Sequence, residues 1–210
     1  MSDPEPHLVA VGARVAEALP LVDALLAQSD PRRKVTVEIT VAGGSSVVPA
    51  YRAPGVVANY ELHIPAAHVD EYVAALDPGL VGERAVDDGA GGWWLSVHGG
   101  EDAVLDALGG LPEVPVEITL VDVPQADLRL PVEADPVRAG VEWTAWWPPV
   151  PELGLGPHLK HAAVWLFVNS TGLWDLEPDK PGYRLYVVTG QRDAARAAHL
   201  AGSAGLTILD

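Results

Sequence analysis

Apolar and polar positions along this chain fall into a phrase that recurs three times. Each copy has a short strand-like run, a glycine, and then an alanine- and leucine-rich stretch with helical spacing. The copies read HLVAVGARVAEALPLVDALLA from His7, WWLSVHGGEDAVLDALGG from Trp93 and RLYVVTGQRDAARAAHLAG from Arg184, with glycines at Gly12, Gly99 and Gly190. Apolar alternation predicts strands, and apolar residues three and four apart predict a helix with one buried face. After the first two copies comes nearly the same strand, VTVEITV at Val35 to Val41 and VPVEITL at Val114 to Leu120. The third copy leads into LTILD at Leu206 to Asp210, which is expected to be a strand as well. Repetition on this scale points to duplicated β-α-β units.

The first helix places Val15, Leu19, Val22, Leu25 and Leu26 on one face, and Pro20 should kink or divide it. VANYELHIP reads as a strand, AAHVDEYVAALD as a helix stopped by Asp77-Pro78-Gly79, and VGERAVDD as a fourth strand. That order is β-α-β-β-α-β, the ferredoxin-like arrangement. The glycine-rich stretch from Asp87 to Gly92 is the best domain boundary on composition. The expected fold is therefore α+β, with two ferredoxin-like halves and mainly antiparallel sheets. Residues 1–89 form one half. Residues 90–210 form the other, which carries an inserted tryptophan-rich hairpin (VEWTAWW and HAAVWLFV) and acidic, proline-punctuated loops. A single merged α+β domain is the alternative.

Composition narrows the chemistry. Two hundred and ten residues are enough for one large domain or two small ones. The absence of cysteine removes disulfides, thiolate catalysis and Cys-based zinc sites. The N-terminal MSDPEPHL lacks the basic region and apolar core of a signal peptide, and no uncharged apolar run approaches the ~20 residues that span a bilayer. A cytoplasmic protein without a membrane partner is expected. The net charge of −16 is spread over both halves, −7 in residues 1–89 and −9 in residues 90–210. A field of that sign repels nucleic acid and anionic lipid and favours a basic protein partner. Acidity kept for solubility alone is the competing explanation.

No catalytic motif emerges. VHGGED lacks both dinucleotide and P-loop fingerprints, and Glu101 and Asp102 suit a helix N-terminus better than a phosphate would. His158 and His161 are three apart but lead into a strand, where such a pair faces opposite sides, so no metal site is expected. His98, at a strand end, is a weak general base, and no serine sits in a nucleophile context. No cofactor is expected.

Seven tryptophans stand against one phenylalanine, and five of the seven fall within residues 143–174. Alternation puts Trp143, Ala145 and Trp147 on one face and Glu142, Thr144 and Trp146 on the other. The cluster reads either as a bulky core or as a recognition patch. In the second case Glu142, Trp146, Trp147, Glu152, Trp174 and Asp175 form an acid-rimmed aromatic surface suited to arginine and lysine.

VEWTAWWPP, AAVWLFV and the closing YRLYVVTGQRDAARAAHLAG give the second half a resemblance to bacterial immunity proteins of polymorphic toxin systems. That resemblance implies a small acidic α+β protein that neutralises a toxin by occluding its active site, with no functional residue carried over. The expected function is thus a non-catalytic acidic binder that neutralises or caps a basic protein. The alternatives are an α+β-barrel enzyme or ligand binder, in which His161 would be an axial ligand, and a small-effector sensing domain. Partner identity and oligomeric state are not encoded in any motif.

Overall fold

The computed structural model describes residues 4–51, 57–76, 85–98, 106–124, 138–158, 160–171, 180–190 and 193–209. Nine strands run through them: β1 (Pro4–Gly12), β2 (Thr36–Gly44), β3 (Val57–Ile64), β4 (Ala85–Asp87), β5 (Trp93–His98), β6 (Pro115–Val121), β7 (Arg138–Thr144), β8 (Ala163–Val168) and β9 (Tyr183–Gly190). Helices α1 (Leu19–Leu26), α2 (Val69–Ala75) and α3 (Ala194–Ser203) accompany them. The protein is α+β, and the pairs β1–β9, β8–β9, β7–β8, β3–β5, β3–β6 and β4–β5 are all antiparallel.

The chain divides into two compact units. One comprises Met1–Glu38 with Arg138–Asp210, and the other is Ile39–Val137. The first unit's strands run in the order β1-β9-β8-β7. The second unit's run is β2-β6-β3-β5-β4, with β2 entering that unit at Ile39. Strands from either side of residue 89 therefore pair with each other in both units: β1 with β9 in the first, and β3 with β5 and β6 in the second. Separate ferredoxin-like halves of residues 1–89 and 90–210 are not what the strand pairing builds.

The Asp87–Gly92 stretch accounts for the difference. It is the turn of the β4–β5 hairpin, in which Asp87 pairs with Trp93 and the Asp88 N–H donates to the Gly92 carbonyl at 3.0 Å. Asp88 Oδ1 also accepts from the N–H groups of Ala90 (2.8 Å) and Gly92 (2.9 Å). Tight turns and linkers draw on the same glycine- and aspartate-rich composition, so composition alone cannot separate them.

Most other elements follow from local pattern. Pro20 divides the first helix: a 3-10 turn at Val15–Glu17 precedes α1, and the proline lies in the first turn of α1, where its missing N–H costs little. VGERAVDD supplies β4. The closing LTILD does not form a strand over Leu206–Leu209. It meets β1 through one bond, Leu209 N–H to the Leu8 carbonyl, 2.9 Å. Of the helix expected after β5, Asp106–Ala107 are helical and Leu108–Gly110 form a 3-10 turn, and the rest lies outside the described residues.

In the first unit Val141, Trp143, Val164, Leu166, Leu185 and Val187 are buried on one sheet face, and Val22, Leu25, Ala197 and Leu200 are buried from the helices. β8 and β9 meet beyond their ends through Asn169, which sits at φ 51°. Its N–H donates to the Gly182 carbonyl (2.8 Å), and its side-chain carbonyl accepts from Gly182 N–H (2.9 Å). Gly182 has φ 89° and lies against the backbone of Gly12, so any side chain there would be both strained and blocked.

Candidate functional site

β7 carries the expected alternation past its end: Trp143, Ala145 and Trp147 are buried, while Glu142, Thr144 and Trp146 are half-buried. The expected binding residues consequently separate. Trp147 is fully buried, and its indole N–H donates to the Val188 carbonyl at 2.9 Å, which makes it a core residue. Trp146 lies under the chain's own cation, with the Arg33 guanidinium 4.7 Å from its ring centroid. Its backbone is held by Ser29 Oγ (2.9 Å, accepting) and by the Asp30 N–H (2.7 Å, donating). Glu152 is exposed and stands 3.7 Å from His199 Nδ1. Trp174 and Asp175 lie outside the described residues.

Glu142 instead shares a sheet face with residues that sequence reading did not single out. It pairs across the ladder with Trp165, which pairs with Tyr186, and Phe167 bridges the two rings at centroid distances of 6.1 and 5.3 Å. Burial pushes the Glu142 carboxyl above its usual range and the charge of Glu38 adds to this, while the nearby Trp165 indole favours the charged form. That indole N–H is nonetheless buried and out of hydrogen-bonding geometry with any acceptor among the described residues.

A buried polar network fixes the loop that follows. Arg196 on α3 is 2% exposed. It donates to Asp193 Oδ2 (2.6 Å) and to the carbonyls of Pro148 (2.7 Å) and Gly156 (2.6 Å). His158 Nδ1 stands 3.9 Å from the same carboxylate, and burial lowers the pKa of His158. His158 Nε2 and His161 Nε2 are both buried without a partner among the described residues, and His161 sits at φ 59°. Among the described residues no group of three or more His, Asp or Glu could hold a metal ion.

The second unit looks different. Its strands alternate cleanly: Tyr60, Leu62, Leu95, Val97, Val116, Ile118 and Leu120 are buried on one side. The other side is polar and more open, and the register arranges it in rows. Ser96, Glu61 and Glu117 are in line across β5, β3 and β6, with the two carboxylates directly opposite each other. One step along, Val86, Trp94 and His63 are in line across β4, β5 and β3. Trp94 is 47% and Val86 64% exposed. The His63 ring stacks on Trp94 with centroids 4.5 Å apart, and its Nε2 is 2.9 Å from Asp88 Oδ2. A third row brings His98 against Asn59, 2.9 Å between Nδ1 and Oδ1.

Among the described residues, neither Glu61 nor Glu117 has a cation within ion-pair distance. Burial pushes the Glu117 carboxyl up, and the charge of Glu61 pushes it further. The charge is concentrated here too. Ile39–Val137 contains 16 Asp and Glu against three Arg and no Lys, net −13, whereas the other unit is −3. No family model, curated protein or solved structure matches the chain.

Proposed function

We propose that this is a non-catalytic acidic binding protein of the cytoplasm that neutralises or caps a basic protein partner, in the manner of an immunity or inhibitor protein. The observation that carries this reading is the charge distribution: −13 of the net −16 belongs to Ile39–Val137. A unit of ~100 residues with so one-sided a charge repels itself, which lowers its own stability and increases its attraction for cations. A complementary basic partner relieves that repulsion and is steered to the surface at high rates. The recurrent strand–turn–helix phrases fit descent from a duplicated ferredoxin-like unit whose strands later interleaved.

The test is capture by the immobilised full chain from a lysate of its own host, at low salt and above ~0.15 M, where screening shortens the reach of exposed charges. The expected result is a discrete basic protein held at low salt and released as salt rises. Retention of only acidic proteins, retention insensitive to salt, or no retained basic protein overturns the reading.

A further inference from the structure

We infer that the open face of the second unit's sheet is the docking surface, and that the group it anchors is an arginine side chain of a basic protein partner. This rests on the proposed function and adds the face and the residue type. The β3–β6 ladder contains a misfit. Like charges directly opposite on neighbouring strands are destabilising, because their Cβ atoms are only ~5 Å apart. Glu61 and Glu117 occupy that position in the β3–β6 ladder, with no cation beside them among the described residues. A guanidinium resolves the misfit. It presents five N–H donors in a planar fork, enough to bond both carboxylates at once, while an ammonium offers a single point charge.

The neighbouring row supports the same group. Trp94 is half exposed and its ring is fixed by stacking on His63, which Asp88 holds in turn. A guanidinium lying over the Glu61–Glu117 pair has the His63–Trp94 stack in the next row, ~7 Å along the strands, and Arg favours aromatic neighbours. Val86, across from Trp94, offers an apolar contact for the arginine stem or a neighbouring side chain. Charge complementarity selects the occupant, since an acidic or nucleic-acid partner would add to the repulsion.

The experiment titrates the full chain with an extended peptide alternating Arg and Thr, and with its Lys and Gln counterparts, following amide and indole shifts by NMR. The expected result is saturable binding in the order Arg, Lys, Gln, with shifts confined to β3, β4, β5 and β6 and to the Trp94 indole. The double variant E61Q/E117Q should weaken Arg binding roughly tenfold. It removes a repulsion, so folding is retained. The control D70N/E71Q removes the same charge from exposed positions on α2 and should leave binding within about twofold.

Equal loss in the two double variants, equal binding of the Arg and Gln peptides, or shifts centred on Glu142 and Trp165 overturns the inference. Capture of a basic host protein that E61Q/E117Q leaves unchanged overturns the face while the proposed function stands. Peptide binding at this face without any captured basic protein does the reverse.

Discussion

The two units use aromatic and acidic residues in opposite ways. The unit of Met1–Glu38 and Arg138–Asp210 holds most of the placed tryptophans and little net charge, and its largest rings, Trp143 and Trp147, are almost fully buried. The unit of Ile39–Val137 carries nearly all the net charge and shows one half-exposed tryptophan near two carboxylates that have no cation beside them among the described residues. Tryptophan density therefore marks packing in this chain, and recognition is better sought where charge lacks a partner. A cation placed near Trp146 competes with Arg33, which already covers that ring. A cation placed near Glu61 and Glu117 has no such competitor among the described residues.

The largest expected effect that sharpens this contrast is in the first unit. Arg196→Ala should destabilise the protein by about 2 kcal/mol, because it empties the place of a buried guanidinium and leaves the half-buried Asp193 and the carbonyls of Pro148 and Gly156 without their donor. Urea denaturation measures it, and a loss under ~1 kcal/mol would mean that Arg196 is not what fixes the Pro148–Gly156 segment. Next comes a paired test of the two buried indoles. Trp147→Phe removes the bond to Val188 and should cost about 1 kcal/mol more than Trp143→Phe, whose indole N–H has no acceptor among the described residues. Equal losses would mean that ring volume alone sets the stability of this core.

The smallest effect is in the second unit. The Glu117 carboxyl is raised in the folded protein, so the folded state binds more protons than the unfolded one just above the usual glutamate range. Stability conferred by that extra protonation is present at low pH and declines as pH climbs from about 4.5 through the raised value. Glu117→Gln should therefore gain roughly 0.5 kcal/mol at pH 7 and flatten the profile across that window. Thermal melts at pH 4.5 and pH 7 test both signs. A loss of stability at pH 7 would show that the carboxylate is compensated.

Local pattern and long-range pairing contributed differently to what could be read. Period-2 runs located β3, β5, β6, β8 and β9, the helical spacing located α1 and α3, and Pro20 marked the division before α1, since these features depend on neighbours a few residues away. The alternation of Glu142–Trp147 was legible for the same reason, though it could not say that the inner face was core and that Arg33 covered Trp146. The boundary at Asp87–Gly92 misled because a hairpin turn and a linker share a composition, and the error hid the charge asymmetry. Divided at residue 89 the chain looks evenly acidic, and divided by its strand pairing it does not. The closing LTILD failed as a strand because alternation specifies a face and not a partner.

By itself, then, the sequence determined the α+β class, most strand and helix positions, the lack of thiol chemistry and the excess of acid. Only the tertiary structure decided which strands pair, which tryptophans are core, and that Glu61 and Glu117 face each other. The β1–β9 and β3–β6 pairings join positions more than fifty residues apart, and no local preference carries that information. They are fixed when whole strands align their apolar faces in one core.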